Sequence, residues 1–469
     1  MLETSDSKTT ANGGPPAEAP ELARRLGLFD ATMIVMGGIV GSGIFINPYV
    51  VARQVHTPAL VLGAWAAGGL IALAGAFIWA ELAALRPKVG GQYAYMREAF
   101  HPSIAFIYGW TLLLVTQSGG MAAVAVTFAK YSLALTQAPL ADWAVAAVAL
   151  GSLTLINCLG VRAGGSVQNA LMVMKILAIV ALVVCGLLLL SGRWPAATGQ
   201  VAAGGQSWRS SSTEGGWQLF TTMGATMVPV LFAYGGWQTA NFVAGEVRNP
   251  RRNLPLGLLI GVVGVIVLYL AVNLVYVGVL GVDGLAATET PASEVMRLAM
   301  GERGKTLIAI GIAVSTLGFL SQSMLTAPRV YFAMADDRLF FKSVARLDPR
   351  TRVPVVAIAL QGALAIVIAL SGTYAQILSY VVAVDSIFFA LTAGALLVFH
   401  HRAKLAGMTN DASPIRLWSK RVMIVLFIIV ESFVAVNTAY NYPTNSAIGL
   451  AILVSGIPVY FYWRARLNR

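Results

Sequence analysis

The sequence predicts an all-α polytopic membrane protein, and three observations carry that prediction. Only 11% of the 469 residues are charged and 57% are hydrophobic, whereas a soluble chain needs about a quarter of its residues charged to cover its surface. The mean hydropathy is +0.74, and the apolar residues gather into runs near the length of about 20 residues that crosses a bilayer. Lys and Arg are dense and sparse by turns in the connections between those runs, as membrane topology demands. An ordinary water-soluble fold is excluded.

In chain order, residues 1–24 read as a disordered cytoplasmic tail, rich in Ser, Thr, Pro, Ala, Gly and Glu and lacking the apolar core of a signal peptide. Apolar runs then place 12 transmembrane helices at 28–55, 59–85, 102–134, 142–159, 166–190, 219–246, 255–280, 305–334, 354–371, 374–399, 421–440 and 445–463. The Gly/Ser stretch 191–218 is the longest connection and reads as an extracellular loop, 401–420 as a cytoplasmic loop, and 464–469 as a second cytoplasmic tail. No connection is long enough to hold a soluble catalytic domain. With the amino terminus inside, 24 Lys and Arg fall on the cytoplasmic side, Arg329 among them, and 6 on the other. Both termini are therefore expected in the cytoplasm. This topology accounts for the net charge of +12, so nucleic acid is not an expected partner and the lipid bilayer is.

Two runs are interrupted. The first, TMIVMGGIVGSGIFINPYVV, packs Gly37, Gly38, Gly41 and Gly43 into its middle; the sixth, LFAYGGWQTANFVAGEV, places Gly235 and Gly236 after an apolar half-helix. A GxxxG such as Gly37 and Gly41 can serve close helix packing alone, but two matched interruptions favour a built cavity, because unwound backbone survives in hydrocarbon only inside protein or beside water. Runs one to five (25–190) and six to ten (219–400) each open with a broken helix, and five is odd, so the second set inserts upside down. This predicts a five-plus-five inverted repeat, with 421–463 supplying two further helices.

The chemistry of the breaks follows from helix ends. A half-helix starting near Ile44 would present unpaired amides at Gly41, Ser42 and Gly43, a nest for a carboxylate. The half-helices ending near Ile39 and at Phe232 and Ala233 would present unpaired carbonyls to a cation. Together they suit the two ends of an amino acid zwitterion.

At these residues the chain resembles the amino acid, polyamine and organocation transporter superfamily, and within it the L-type amino acid transporter family. GSGIF at 41–45, PKVGGQYAYMREAF at 87–100 and FAYGGW followed by GEVRNPRRNLP within 232–255 carry the likeness, which extends over residues 25–463. The resemblance implies a LeuT-like fold with broken helices 1 and 6, and sodium-independent exchange of neutral L-amino acids by alternating access. A proton-coupled symporter, or an exchanger of cationic amino acids or polyamines, is the alternative. It assigns the substrate carboxylate to Ser42 and Gly43, the ammonium to carbonyls near Ile39 and of Phe232 and Ala233, with Gly41 and Gly235 at the breaks. Phe232 becomes the gate, and Trp237 a brace for the second break.

Lys175 is a charge in the middle of the fifth run, costing about 2.5–3.5 kcal/mol unless it has a partner. By resemblance it stands where sodium-coupled relatives hold their ion, and its expected partners are the Gly38–Gly41 backbone and Ser315. Asp385 lies halfway along the tenth run, where the family has a neutral residue. A carboxylate there would favour cationic or hydroxylated side chains, carry a proton, or form a salt bridge. Glu431 is expected to pack or to join a dimer, and His400 and His401 to be solvated. The loop 135–142 has no cysteine, whereas the resemblance places there the cysteine that joins eukaryotic members to a heavy-chain subunit. A stand-alone protein of the prokaryotic inner membrane, monomeric or weakly dimeric, is the expectation. Cys158 and Cys185 lie in apolar runs, and no HExxH, GxSxG or filter repeat occurs, so no enzyme, metal or cofactor is expected.

Overall fold

A computed structural model describes residues 24–197, 216–370, 374–406 and 420–467. Most of the tail 1–24 and much of the loops 191–218 and 401–420 lie outside the described residues, as does the end of the tail 464–469. The described chain is helical throughout, in this order: α1 (Leu28–Ile39), α2 (Gly43–Val55), α3 (Pro58–Leu85), α4 (Gln92–Ala99), α5 (Pro102–Thr111), a π-helical turn (Leu112–Gln117), α6 (Ser118–Thr136), α7 (Asp142–Cys158), α8 (Val161–Leu190) and α9 (Gly216–Tyr234). A 3-10 segment (Trp237–Glu246) follows, then α10 (Pro250–Ala287), α11 (Pro291–Thr326), α12 (Pro328–Asp336), α13 (Val355–Ala369), α14 (Tyr374–Leu405), α15 (Lys420–Asn441) and α16 (Pro443–Leu467). Nine helical stretches among the described residues are long and apolar enough to cross a membrane, and α7 and α13 are shorter apolar helices. A multi-pass helical membrane protein fits them.

Local chemistry sets the boundaries. Proline opens α3, α5, α10, α11, α12 and α16, where a missing N–H costs nothing and the fixed φ already suits a helix. Thr57 caps α3 by accepting from the Leu60 amide at 3.3 Å. Gly281 at φ 70° and Gly301 at φ 67° break α10 and α11 into unequal parts, a backbone state that glycine adopts without penalty.

Each expected apolar run is helical, but three features differ from the sequence reading. The motif at 87–100 folds into a short helix, α4, after two left-handed glycines, Gly90 and Gly91. The third run contains the π-helical turn at Leu112–Gln117. The second half of the sixth run is a 3-10 segment in place of an α-helix.

The two interrupted segments run antiparallel at the centre of the bundle, α2 against α9 and α1 against the 3-10 segment. Around them α3 packs on α10, and α8 and α6 pack on α11. Small residues permit close approaches: a Cβ on Gly186 of α8 would lie 2.1 Å from Val275 Cγ1 of α10, and one on Gly311 of α11 would lie 2.7 Å from Ala178 Cβ of α8. Large apolar side chains such as Leu70, Leu155, Leu177 and Val267 are exposed on the outside, as lipid contact requires.

One end of the bundle is sealed by charge. Glu246 and Arg329 are fully buried and joined by bonds of 2.7 and 3.3 Å. Arg329 is thus an internal ion pair and not a loop charge. The same Glu246 backbone carbonyl accepts from the Arg25 and Leu26 amides at 2.8 and 2.9 Å. Tyr93 of α4 donates to Asp337 at 2.8 Å, and Arg97 pairs with the same carboxylate.

Candidate functional site

The first break spans three residues. α1 ends at Ile39, Val40 turns to extended backbone, and α2 restarts at Gly43 behind Ser42. The Phe45 and Ile46 amides both return to Ser42 O at 3.1 Å, so the amides before them have no acceptor within the helix. The macrodipole of α2 adds partial positive charge at the same point. Ser42 Oγ, buried, has no hydrogen-bond partner among the described residues.

The second break lies directly against the first. Gly236 sits at φ 106°, and a Cβ there would be 2.1 Å from the Gly38 carbonyl oxygen. Gly38 faces Gly236 in return, with its own Cβ position 2.6 Å from the Gly236 oxygen. Only two glycines allow these backbones to touch. Beyond the break the 3-10 segment is held by side chains: Gly236 N donates to Gln238 Oε1 at 3.0 Å, Thr239 Oγ1 donates to Gly236 O at 2.6 Å, and Gln322 donates to Thr239 Oγ1 at 2.6 Å. Trp237 wedges edge-on against Trp79 at 4.8 Å and beside Phe389 at 5.3 Å.

A cavity of about 870 Å³, counted out to its mouth, opens at these breaks. Ile39, Gly41, Ser42, Gly43, Phe232 and Gly235 line it, and so do Thr116, Gln117, Phe319, Asp385, Ser386 and Glu431. The structure therefore gathers most of the sequence-selected residues around one space. Of the residues expected to touch substrate, Ala233 is the exception, buried behind Gly43, whose Cβ would lie 2.8 Å from Ala233 Cα; Lys175 and Ser315 also lie outside the lining.

Nor are the expected carbonyls unpaired. Tyr269 of α10 donates its hydroxyl to both Ile39 O and Ala233 O, each at 3.1 Å, and Phe232 O accepts from Gly235 N at 3.3 Å. Two carbonyls from different broken helices thus converge within reach of one donor, and each keeps a second lone pair. Tyr269 escaped the sequence reading because a tyrosine in an apolar run carries no spacing signal.

Lys175, fully buried on α8, reaches the first break from behind. Its ammonium donates to Val40 O and to Gly37 O at 3.5 Å, and Gly318 of α11 leaves room for its chain, since a Cβ there would lie 2.8 Å from Lys175 Cε. Ser315 bonds Gly41 O at 3.5 Å. Both residues therefore hold break carbonyls, but no hydrogen bond joins them to each other among the described residues.

Glu431 and His400 depart from expectation, and Asp385 lines the cavity as expected. Glu431 lines the cavity instead of an outer packing surface, because the inward face of α15 packs on α14 and α9. Asp385 accepts from Thr116 at 2.9 Å and has no salt bridge among the described residues. His400 is partly buried and lies 2.9 Å from Glu81 Oε1, so it is paired and not freely solvated. His401 is exposed. Among the described residues no group of three or more His, Cys, Asp or Glu could hold a metal.

A family model described as amino acid permease matches residues 26–461. The chain belongs to that family. It is 27% identical over 465 residues to the b(0,+)-type amino acid transporter 1 of Mus musculus, covering 96% of this chain and 91% of the relative. The large neutral amino acids transporter small subunit 2 of Homo sapiens is 27% identical over 481 residues, with 98% and 84% covered. The Rattus norvegicus b(0,+)-type transporter is 29% identical over 408 residues, with 85% and 80% covered. The permease is thus a member of the amino acid, polyamine and organocation superfamily with L-type relatives.

Proposed function

We propose that this permease exchanges L-amino acids across the membrane by alternating access, without sodium. One observation carries the reading. The amide end of α2 at Ser42 and Gly43 meets the broken-helix residues Ile39 and Phe232 at a single cavity, with the Ala233 carbonyl held beside Ile39 by Tyr269 just behind it. A carboxylate on the amides and an ammonium on the carbonyls would satisfy both. Phe232 and Phe319 line the same space as apolar walls, with Phe232 in the gate role.

Sodium independence rests on Lys175. A fixed ammonium on the Gly37 and Val40 carbonyls occupies the place and supplies the charge of a bound cation. Helix packing supports a twelve-span, inverted-repeat arrangement: α3 meets α10, α6 meets α11 and the broken segments meet each other, so members at matching places in the two halves are neighbours. The charge count favours both termini in the cytoplasm, and the cysteine-free 135–142 loop favours a stand-alone chain of a prokaryotic inner membrane that works without a heavy subunit.

The amide and carbonyl groups recognise what every L-amino acid shares, so this half of the site leaves the side chain open. Resemblance alone favours neutral ones. The test is counterflow of a labelled amino acid panel in proteoliposomes, with and without internal substrate, in sodium and in choline. Uptake that requires internal amino acid and is equal in both salts is expected. Uptake rising steeply with sodium at constant membrane potential would overturn the sodium-free reading.

A further inference from the structure

The cavity has a second polar wall that the shared ends of an amino acid do not use. Asp385 and Ser386 of α14, Glu431 of α15, and Thr116 and Gln117 of the π-helical turn all line it. The wide π turn, a feature concentrated at functional sites, brings two consecutive polar residues, Thr116 and Gln117, to the cavity.

The carboxyls on this wall have few partners among the described residues. Asp385 accepts one hydroxyl, from Thr116 at 2.9 Å. Glu431 is bonded by the Ser386 hydroxyl and lies close enough to feel the Asp385 charge. Its Oε2 is buried without a partner among the described residues, as is Gln117 Oε1. Tyr108, below the wall, is directed to Gln92 at 3.2 Å. No Lys, Arg or His lines the cavity among the described residues. The buried ammonium of Lys175 is engaged behind the break by Val40 and Gly37. Two carboxyls that hydroxyls alone support in a low-dielectric site are stabilised by an incoming cation far more than by a neutral group.

We infer that Asp385 and Glu431 form an acidic subsite that receives the cationic end of a basic substrate side chain, an ammonium or a guanidinium. Gln117 Oε1 and Glu431 Oε2 supply further acceptors, which an ammonium with three N–H groups or a guanidinium with five can fill. This assignment rests on the amino acid transport reading and sets the geometry of the acidic wall above the family preference for neutral side chains. The position of Glu431 decides it, because one carboxyl can be satisfied by hydroxyls, whereas two on one wall leave an acceptor open.

The experiment is competition against a labelled amino acid in proteoliposomes, using pairs that differ mainly in charge: lysine against norleucine, and arginine against citrulline. In the wild type the basic member of each pair should compete at least about tenfold more strongly. That ratio should fall severalfold in Asp385→Asn and in Glu431→Gln, and approach one in the double variant. The wild-type comparison stands even if a variant fails to insert. Equal competition within both pairs by the wild type would overturn the subsite while leaving amino acid transport intact. A basic preference unchanged in both variants would do the same. Uptake of norleucine driven by an inward proton gradient, and lost in either variant, would reassign the pair to proton binding. Absence of exchange of any amino acid would overturn the transport reading and the subsite with it.

Discussion

Lys175 and the carboxyls of Asp385 and Glu431 are charges inside the same bundle, yet they are held in opposite ways. Lys175 is sealed from the cavity, and its ammonium is spent on two carbonyls that α1 cannot satisfy once it has stopped at Ile39. The carboxyls face the cavity, are met among the described residues by the hydroxyls of Thr116 and Ser386 alone, and leave an oxygen open. A buried pair of opposite charge, Glu246 with Arg329, supplies a third case. The difference is one of purpose. A charge held by fixed partners, a counter-charge or backbone carbonyls, stabilises one backbone shape, whereas a carboxyl beside a cavity without a counter-charge is open to a group that arrives and leaves, as the proposed subsite requires.

The largest effect should come from the closed pair. Glu246→Gln leaves Arg329 buried without its counter-charge, and about 3–5 kcal/mol of stability should be lost. Thermal unfolding in detergent checks it, with the exposed Arg86→Ala as reference; a shift no larger than the reference would mean the pair is not sealed.

Next is Lys175→Ala. It strips the donor from Val40 O and Gly37 O, each costing about 1–3 kcal/mol when left unmade, and it opens a void between α8 and α11. Exchange should fall by about a hundredfold, and sodium should not restore it. Normal exchange by this variant would place Lys175 with the open charges and erase the contrast.

Gly43→Val probes the amide end that Lys175 shapes. The new Cβ would lie 2.8 Å from Ala233 Cα and Cβ, and overpacking of this kind costs about 1–3 kcal/mol. Substrate affinity should drop at least about tenfold while the protein still inserts, as read by binding to the purified variant. Unchanged affinity would remove the carboxylate from this break.

The smallest effect is expected for Tyr269→Phe. It deletes the hydroxyl shared by Ile39 O and Ala233 O, a loss of about 1 kcal/mol per bond, and should weaken substrate binding by only about fivefold. A complete loss would show that the hydroxyl, and not the carbonyls, is the ammonium's main partner.

Much of this was legible in the chain. Gly38 and Gly236 stood out because glycine in mid-span has few causes, and the structure shows the backbones in contact at those two residues. Lys175 was conspicuous for the cost of its charge, but its expected place at the first break came from the resemblance, and of its expected partners it meets Val40 O and not Ser315. Glu431 was misjudged because it follows the repeat in sequence, and its inward orientation depends on how α15 rotates against α14 and α9. His400 was misjudged in the same way, since Glu81, its partner, is 319 residues distant.

The sequence by itself determined the class of the protein, its apolar runs, the two breaks and the residues that had to be glycine, because hydropathy, charge cost and φ freedom are local properties. Only the tertiary structure decided that Tyr269 bridges the two breaks, that Lys175 and Ser315 take different carbonyls, and that Glu431 joins Asp385 on one wall. Those outcomes depend on how helices far apart in the chain are rotated and tilted, which is set by side-chain packing along whole helix faces and by no single residue.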